Sequence, residues 1–172
     1  GDAAERYSSA MLILLSAALA LAEEPIPVMD SKGTIVIKTT VPQSEETVRA
    51  ALADPEQAAR LPPEVLGVTT LTSGKCVTLG VTVKGAWDPL KYTTQRCPTA
   101  HGYKYKLLGS ESLTAYEAEW SLLAQPGGGT EVTYRVHTEL DLPVPRALIR
   151  KGMLQSARDT LAALVKKVTH AR

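Results

Sequence analysis

Hydrophobic and polar positions alternate with period two through the middle of the chain and take up helical spacing near its end. Thr34 to Val41 reads TIVIKTTV, with Ile35, Ile37, Thr39 and Val41 on one face, which predicts a strand. Pro42 ends it. Ser44 followed by Glu45 and Glu46 predicts a helix start, because the serine can cap backbone N–H groups and the acids sit at the positive end of the helix dipole. A second short helix is expected from Asp54-Pro55, where Asp caps, Pro fits the first helical position and Gln57 completes a capping box. Leu61-Pro62-Pro63 stops it. From Glu64 to Leu142 the pattern predicts six further strands separated by turns. Ile149, Met153, Ala157, Thr160, Leu161, Leu164 and Val168 then recur at spacings of three and four, with Arg150, Lys151, Arg158 and Lys166 elsewhere. That stripe predicts one long amphipathic helix, introduced by Leu142-Pro143-Val144-Pro145.

Paired residue numbers in a hairpin sum to a constant, so each turn fixes a register. A turn at Glu111-Ser112 pairs Lys106 with Glu117 and Lys104 with Glu119. A turn at Pro126 to Gly129 pairs Glu119 with Arg135, Glu117 with His137, Trp120 with Tyr134 and Leu122 with Val132. One face is then a charge ladder and the other apolar, as in a sheet with one solvated side. A turn centred on Ala86-Trp87 pairs Val81 with Tyr92, Leu79 with Thr94 and Val77 with Arg96, all pointing inward. Tyr103, Tyr105, Tyr116 and Tyr134 face the same way.

The 172 residues are 22% charged and 44% hydrophobic, ordinary for one globular domain with a core. Ala10 to Ala22 reads AMLILLSAALALA, between Arg6 and Glu23-Glu24-Pro25, and matches a secretory signal peptide over residues 1–22. As a helix its apolar stretch rises about 20 Å, short of a roughly 30 Å hydrocarbon core, which argues against a permanent span. The alternative is a buried N-terminal helix. Cleavage after Ala22 leaves 18 basic and 16 acidic residues, a net charge of +2. That balance gives no electrostatic reason to expect nucleic acid. An exported monomer, periplasmic or secreted, is the expectation.

Candidate chemistry is sparse. His101 falls in a turn, His137 on the charge ladder and His170 in the tail, so no metal site or nucleophile dyad is expected. Glu117 and Glu119 face basic partners and read as solvated structural acids. Cys76 and Cys97 fit the register constant of their hairpin and stand opposite one another. In an oxidising compartment they form a disulfide; in a reducing one they stay free thiols. Arg96 points into the apolar concavity and needs an acid, ordered water or an anionic headgroup, unless the strand end bends and lets it reach solvent. The inward tyrosines orient a ligand through their hydroxyls or serve as amphipathic core residues. Gly152 interrupts the helix beside Met153, either to make room for a ligand or to allow close helix–sheet packing.

Three stretches resemble the StAR-related lipid transfer (START) and polyketide-cyclase-like superfamily. VPQSEETVRAALADPEQAARLPPEVLGV (Val41 to Val68) is similar to its opening strand end and helix pair. WSLLAQPGGGTEVTY (Trp120 to Tyr134) is similar to its tryptophan-bearing strand, Gly-rich turn and following strand, and LPVPRALIRKGMLQSARDTLAALVKKV (Leu142 to Val168) to its approach into the terminal helix. The resemblance covers roughly residues 33–170. It implies an α+β helix-grip fold, a curved seven-stranded antiparallel sheet around the C-terminal helix, with a cavity between them for a lipid, sterol or other apolar ligand. Many relatives carry an aromatic residue where Leu61-Pro62-Pro63 stands here.

These readings combine into non-catalytic binding or transport of a hydrophobic small molecule, without cofactor or metal and with transient membrane contact. The expected ligand-binding residues are Leu79, Val81, Tyr92, Arg96, Tyr105, Trp120, Tyr134, Ile149, Gly152 and Met153. Two alternatives stand beside it: a polyketide cyclase-like enzyme using Arg96 and the tyrosines as acid or oxyanion groups, and a ligand-free structural or protein-binding module with a filled core.

Overall fold

The computed structural model describes residues 24–170; the expected signal peptide lies outside them. The elements run β1 (Val28–Met29), β2 (Thr34–Val41), α1 (Glu45–Ala51), α2 (Pro55–Ala59), β3 (Val65–Thr72), β4 (Val77–Val83), β5 (Leu90–Thr99), β6 (Gly102–Ser110), β7 (Leu113–Ala124), β8 (Thr130–Leu140) and α3 (Arg146–His170). The strands form one antiparallel sheet in the order β1-β2-β8-β7-β6-β5-β4-β3, and α3 lies in its concavity. This is the helix-grip architecture, with eight strands in place of the expected seven. The extra one is β1, which pairs Val28 with Val36 and Met29 with Ile35, and two residues are too few to carry a period.

The hairpin registers follow the turns. Lys104 opposes Glu119 and Lys106 opposes Glu117; Trp120 opposes Tyr134 and Leu122 opposes Val132; Val81 opposes Tyr92 and Val77 opposes Arg96. Gly128 and Gly129 take φ of 87° and 83° in the β7–β8 turn, backbone that side chains with a Cβ rarely adopt. On the outer face His137, opposite Glu117 in register, closes instead on Glu139 in its own strand at 3.1 Å. Among the described residues the facing Lys and Glu side chains of β6 and β7 stand in register without closing into ion pairs. Uniform ladders are interrupted by register shifts at Val65/Gly67, Thr70/Thr72, Thr93/Thr94 and Leu113/Ala115. Such bulges bend the strands, and here they curve the sheet around the helix.

Ser44 caps α1 by accepting from Thr47 N at 3.2 Å, and Asp54 caps α2 by accepting from the N–H groups of Glu56 and Gln57. The expected capping box is half made. The Gln57 side chain turns away from Asp54 and accepts from Lys167 Nζ at 3.2 Å. Val48, Ala51, Leu52 and Ala58 bury the two helices against one end of the sheet. The 25-residue α3 does not present one uniform buried stripe. Its C-terminal half sinks Ala157, Thr160, Leu161, Leu164 and Val168 completely, whereas Ile149 and Met153 nearer its start are only half-buried.

Arg96 is 3% exposed and takes neither course expected of it. Its guanidinium donates Nη1 to the Ala53 carbonyl at 3.2 Å and Nη2 to the Leu52 carbonyl, and lies 3.8 Å above the Tyr103 ring. Leu52 is the C-cap of α1, and Lys167 reaches the Ala51 carbonyl from α3 at 2.8 Å. A helix C-terminus carries partial negative charge and unsatisfied carbonyls, so two cations converging there satisfy it without any acidic side chain. Cys76, just before β4, and Cys97 on β5 form a disulfide, with Cα atoms 4.3 Å apart.

Arg96→Met should therefore lower stability by about 2 to 4 kcal/mol, since two charge-assisted hydrogen bonds are lost and their acceptors stay behind. Arg96→Lys should recover only part of this, because an ammonium cannot reproduce the planar fork. Urea unfolding midpoints of the three proteins check the ordering.

Candidate functional site

Between the N-terminal half of α3 and the sheet lies a cavity of about 420 Å³. One wall is α3, through Leu148, Ile149, Gly152, Met153 and Ser156. The facing wall comes from Leu113, Tyr116, Tyr134, Val136 and Leu140 on β7 and β8, and from Val83, Leu90 and Tyr92 on β4 and β5. Lys84, Gly85 and Ala86 line it at one side, Leu142 and Val144 at another, and Ile35, Pro62, Glu64 and Val65 also border it. The cavity exists because α3 descends onto the sheet only past Ser156. A Cβ built on Gly152 meets nothing within 4 Å, so the glycine faces open space and close helix–sheet packing does not explain it.

Tyr92, Tyr116 and Tyr134 line this cavity and also a second void of about 20 Å³ behind them, bounded by Val81, Thr94, Tyr105, Trp120 and Thr160. The three phenols are thus a partition between a large apolar chamber and a small inner one. Tyr92 and Tyr116 lie tilted with ring centroids 5.0 Å apart, and Tyr134 stacks on Trp120 at 4.4 Å. These contacts hold the layer rigid. The Tyr105 hydroxyl, on the inner side, finds no protein partner. Burial pushes Tyr105 up to about 12 and raises Tyr92, Tyr116 and Tyr134 further above the usual phenol value of 10.0. All four are therefore neutral hydroxyls at physiological pH, able to donate and accept hydrogen bonds.

Of the ten residues singled out from the sequence, Tyr92, Tyr134, Ile149, Gly152 and Met153 line the large cavity. Val81, Tyr105 and Trp120 sit behind the partition, so Gly152 faces Tyr134 but does not share its chamber with Trp120. Leu79 is fully buried and Arg96 is held on helix carbonyls, and neither lines a void. Glu64 and Ser156 were missed. Ser156 Oγ lies 2.8 and 2.9 Å from the two Glu64 carboxylate oxygens, and both residues line the cavity. The helical stripe placed Ser156 beside Ala157, but the Pro62-Pro63 stop gave Glu64 no period to belong to. Among the described residues no cluster of three or more His, Cys, Asp and Glu could hold a metal ion.

The family described as "Polyketide cyclase / dehydrase and lipid transport" matches residues 32–169. Among solved structures, a START superfamily protein from Mycobacterium smegmatis is 20% identical with a TM-score of 0.66, covering 79% of this chain and 97% of its own. The Zhui aromatase/cyclase from Streptomyces sp. R1128 is 16% identical with a TM-score of 0.62, over 78% and 90%. A STAR-related lipid transfer protein from Xanthomonas axonopodis is 15% identical with a TM-score of 0.60, over 86% and 100%. At these identities the likeness is one of fold. No curated protein matches the chain.

The raised phenol values carry a sign. Below pH 10.0 the tyrosines are protonated in both states; above it the unfolded chain releases protons that the folded protein retains, so stability falls as pH rises through 10 towards 12 and beyond. Absorbance titration at 295 nm should show Tyr105 ionising near 12, with Tyr92, Tyr116 and Tyr134 ionising only as the protein unfolds. Four normal phenols in the folded protein would contradict their burial.

Proposed function

The chain belongs to the polyketide cyclase/dehydrase and lipid transport family, and from that membership we propose that it binds and carries a hydrophobic small molecule of the lipid or sterol class without transforming it. The observation that carries this reading is the cavity of about 420 Å³, which lies within the usual size of small-molecule sites and is lined mainly by aliphatic and phenolic side chains. Residues 33–170 are the binding domain. The lipid transfer protein among the structural neighbours supports carriage; the aromatase/cyclase marks the alternative. Against cyclisation, the Arg96 guanidinium is taken up by the Leu52 and Ala53 carbonyls and lines neither void. The Cys76–Cys97 disulfide supports an oxidising compartment, in keeping with an export signal over residues 1–22 and a periplasmic or secreted monomer. Among the described residues no helix is long and apolar enough to cross a membrane.

A carrier has to release its cargo. Burying a CH₂ is worth about 0.8 kcal/mol against water and almost nothing against a bilayer, so exchange proceeds readily only at a membrane. The rim suits such contact. Trp87, 75% exposed, sits in the β4–β5 loop whose neighbours Lys84 to Ala86 line the cavity, and Leu148, 62% exposed, sits at the start of α3 among exposed Arg146, Arg150 and Lys151. An exposed indole and a leucine flanked by cations, both at the cavity rim, fit the headgroup region of an anionic bilayer.

Gly152→Leu should fill the cavity. Helix propensity improves by up to about 1 kcal/mol, so the melting temperature should hold or rise while affinity for a fluorescent apolar probe falls at least about tenfold. Absence of any apolar guest in the parent protein, by probe binding and by native mass spectrometry from its own compartment, would overturn the carrier reading.

Trp87→Ser should slow probe transfer between phosphatidylglycerol-containing vesicles with little change in probe affinity. Transfer whose rate ignores vesicle concentration would mean release into water and would remove the membrane from the cycle.

A further inference from the structure

Glu64 stands just after the Pro62-Pro63 stop, its backbone fixed by accepting from Lys84 N at 2.8 Å. Its half-buried carboxylate lines the cavity, opposite α3. Ser156 Oγ is within 2.9 Å of both oxygens but has a single proton to give, whereas an ionised carboxylate offers about four acceptor sites. Among the described residues the ion pairs are Arg49–Glu45 and His137–Glu139, and neither includes Glu64. Lys84 lines the same cavity but is exposed and forms no ion pair with it. The buried cation of the interior, Arg96, is turned away onto the α1 carbonyls. The chamber therefore presents mainly apolar walls, neutral phenols, the Ser156 and Thr138 hydroxyls, the exposed Lys84 at one side and one carboxylate with acceptor capacity to spare.

We infer that Glu64 is a specificity-determining residue that selects an uncharged apolar ligand carrying a hydrogen-bond donor, an alcohol, and rejects apolar anions such as fatty carboxylates. A hydroxyl completes the coordination of the carboxylate. An anionic headgroup placed beside the half-buried Glu64 carboxylate meets like charge, and the Arg96 guanidinium, held on the α1 carbonyls, does not offset the repulsion. Discrimination arises from the penalty on the wrong ligand as much as from the bond to the right one. This rests on the carrier reading, and the two can fail separately.

The test is competition of n-dodecanol and dodecanoate against a fluorescent apolar probe, at a mildly alkaline pH where the acid is ionised, on the parent protein and on Glu64→Gln. The ratio of the two affinities within one sample does not depend on the folded fraction, so a poorly folding variant does not obscure it. The parent should prefer the alcohol by at least about tenfold, and Glu64→Gln should reduce that preference to about threefold or less, mainly by tighter binding of dodecanoate. Equal or stronger binding of dodecanoate by the parent, or a preference that survives Glu64→Gln, overturns the role of Glu64 and leaves the carrier reading standing. Failure of the probe and both competitors to bind overturns the carrier reading and the inference with it.

Discussion

A buried guanidinium held by backbone carbonyls is the constraint around which this fold is arranged. Arg96 comes from the middle of the sheet and spends its charge on the carbonyl end of α1, while Lys167 reaches the same helix end from α3. A short helix has only a few residues over which to develop cooperativity, so its own hydrogen bonds hold it weakly. Here its end is tied to β5 and to α3 at once. That junction closes one end of the concavity, and the deepest core residues, Leu52, Leu79, Leu122, Leu161 and Leu164, belong to the parts it draws together.

The other end follows from what α3 does beyond that anchorage. A straight helix of 25 residues is about 37 Å long, and it cannot stay in contact along its whole length with a sheet that bulges bend away from it. The side chains that could bridge the widening gap are few. The chain contains no Phe, and the helix offers Gly152 where a Cβ would meet nothing within 4 Å. Three tyrosines stand at the boundary between the packed and open ends, Tyr92 tilted against Tyr116 and Tyr134 stacked on Trp120. The cavity is thus a geometrical remainder, stabilised by the junction at the far end.

Hairpin registers were readable because hairpins are local: once a turn is placed the cross-strand pairs around it follow, and Trp120 opposite Tyr134 or Val77 opposite Arg96 needs no further information. The bulges were not readable, since the Leu113/Ala115 shift depends on packing between strands and leaves no mark on the alternation. Arg96 was correctly placed inside, but its partners are backbone atoms of residues 43 and 44 positions away, and a carbonyl has no signature in a sequence. For the site, the inward direction of Tyr92, Tyr134, Ile149, Gly152 and Met153 was legible. The depth of each was not, which is why Val81, Tyr105 and Trp120 fall behind the partition. Glu64 stands at the edge of the strand pattern, directly after Pro62-Pro63, and its place in the cavity beside Ser156, 92 residues later, is set by tertiary structure.

Separating a closed end that supplies stability from an open end that supplies space has an energetic consequence. Core contacts around Leu161 and Leu164 gain from every methylene buried, so that end tolerates little change. The open end gains nothing comparable from its own walls, because side chains facing a cavity lack partners on one side. A guest restores those contacts, and its binding is linked to folding: occupancy stabilises the protein in proportion to the logarithm of ligand over dissociation constant. Cargo and core therefore act through the same term, burial of apolar surface, at opposite ends of one helix. The departures from that term in the lining of the chamber are the phenols, the Glu64 carboxylate with Ser156, Thr138 and Lys84, and orientation and selectivity of the guest fall to these polar side chains.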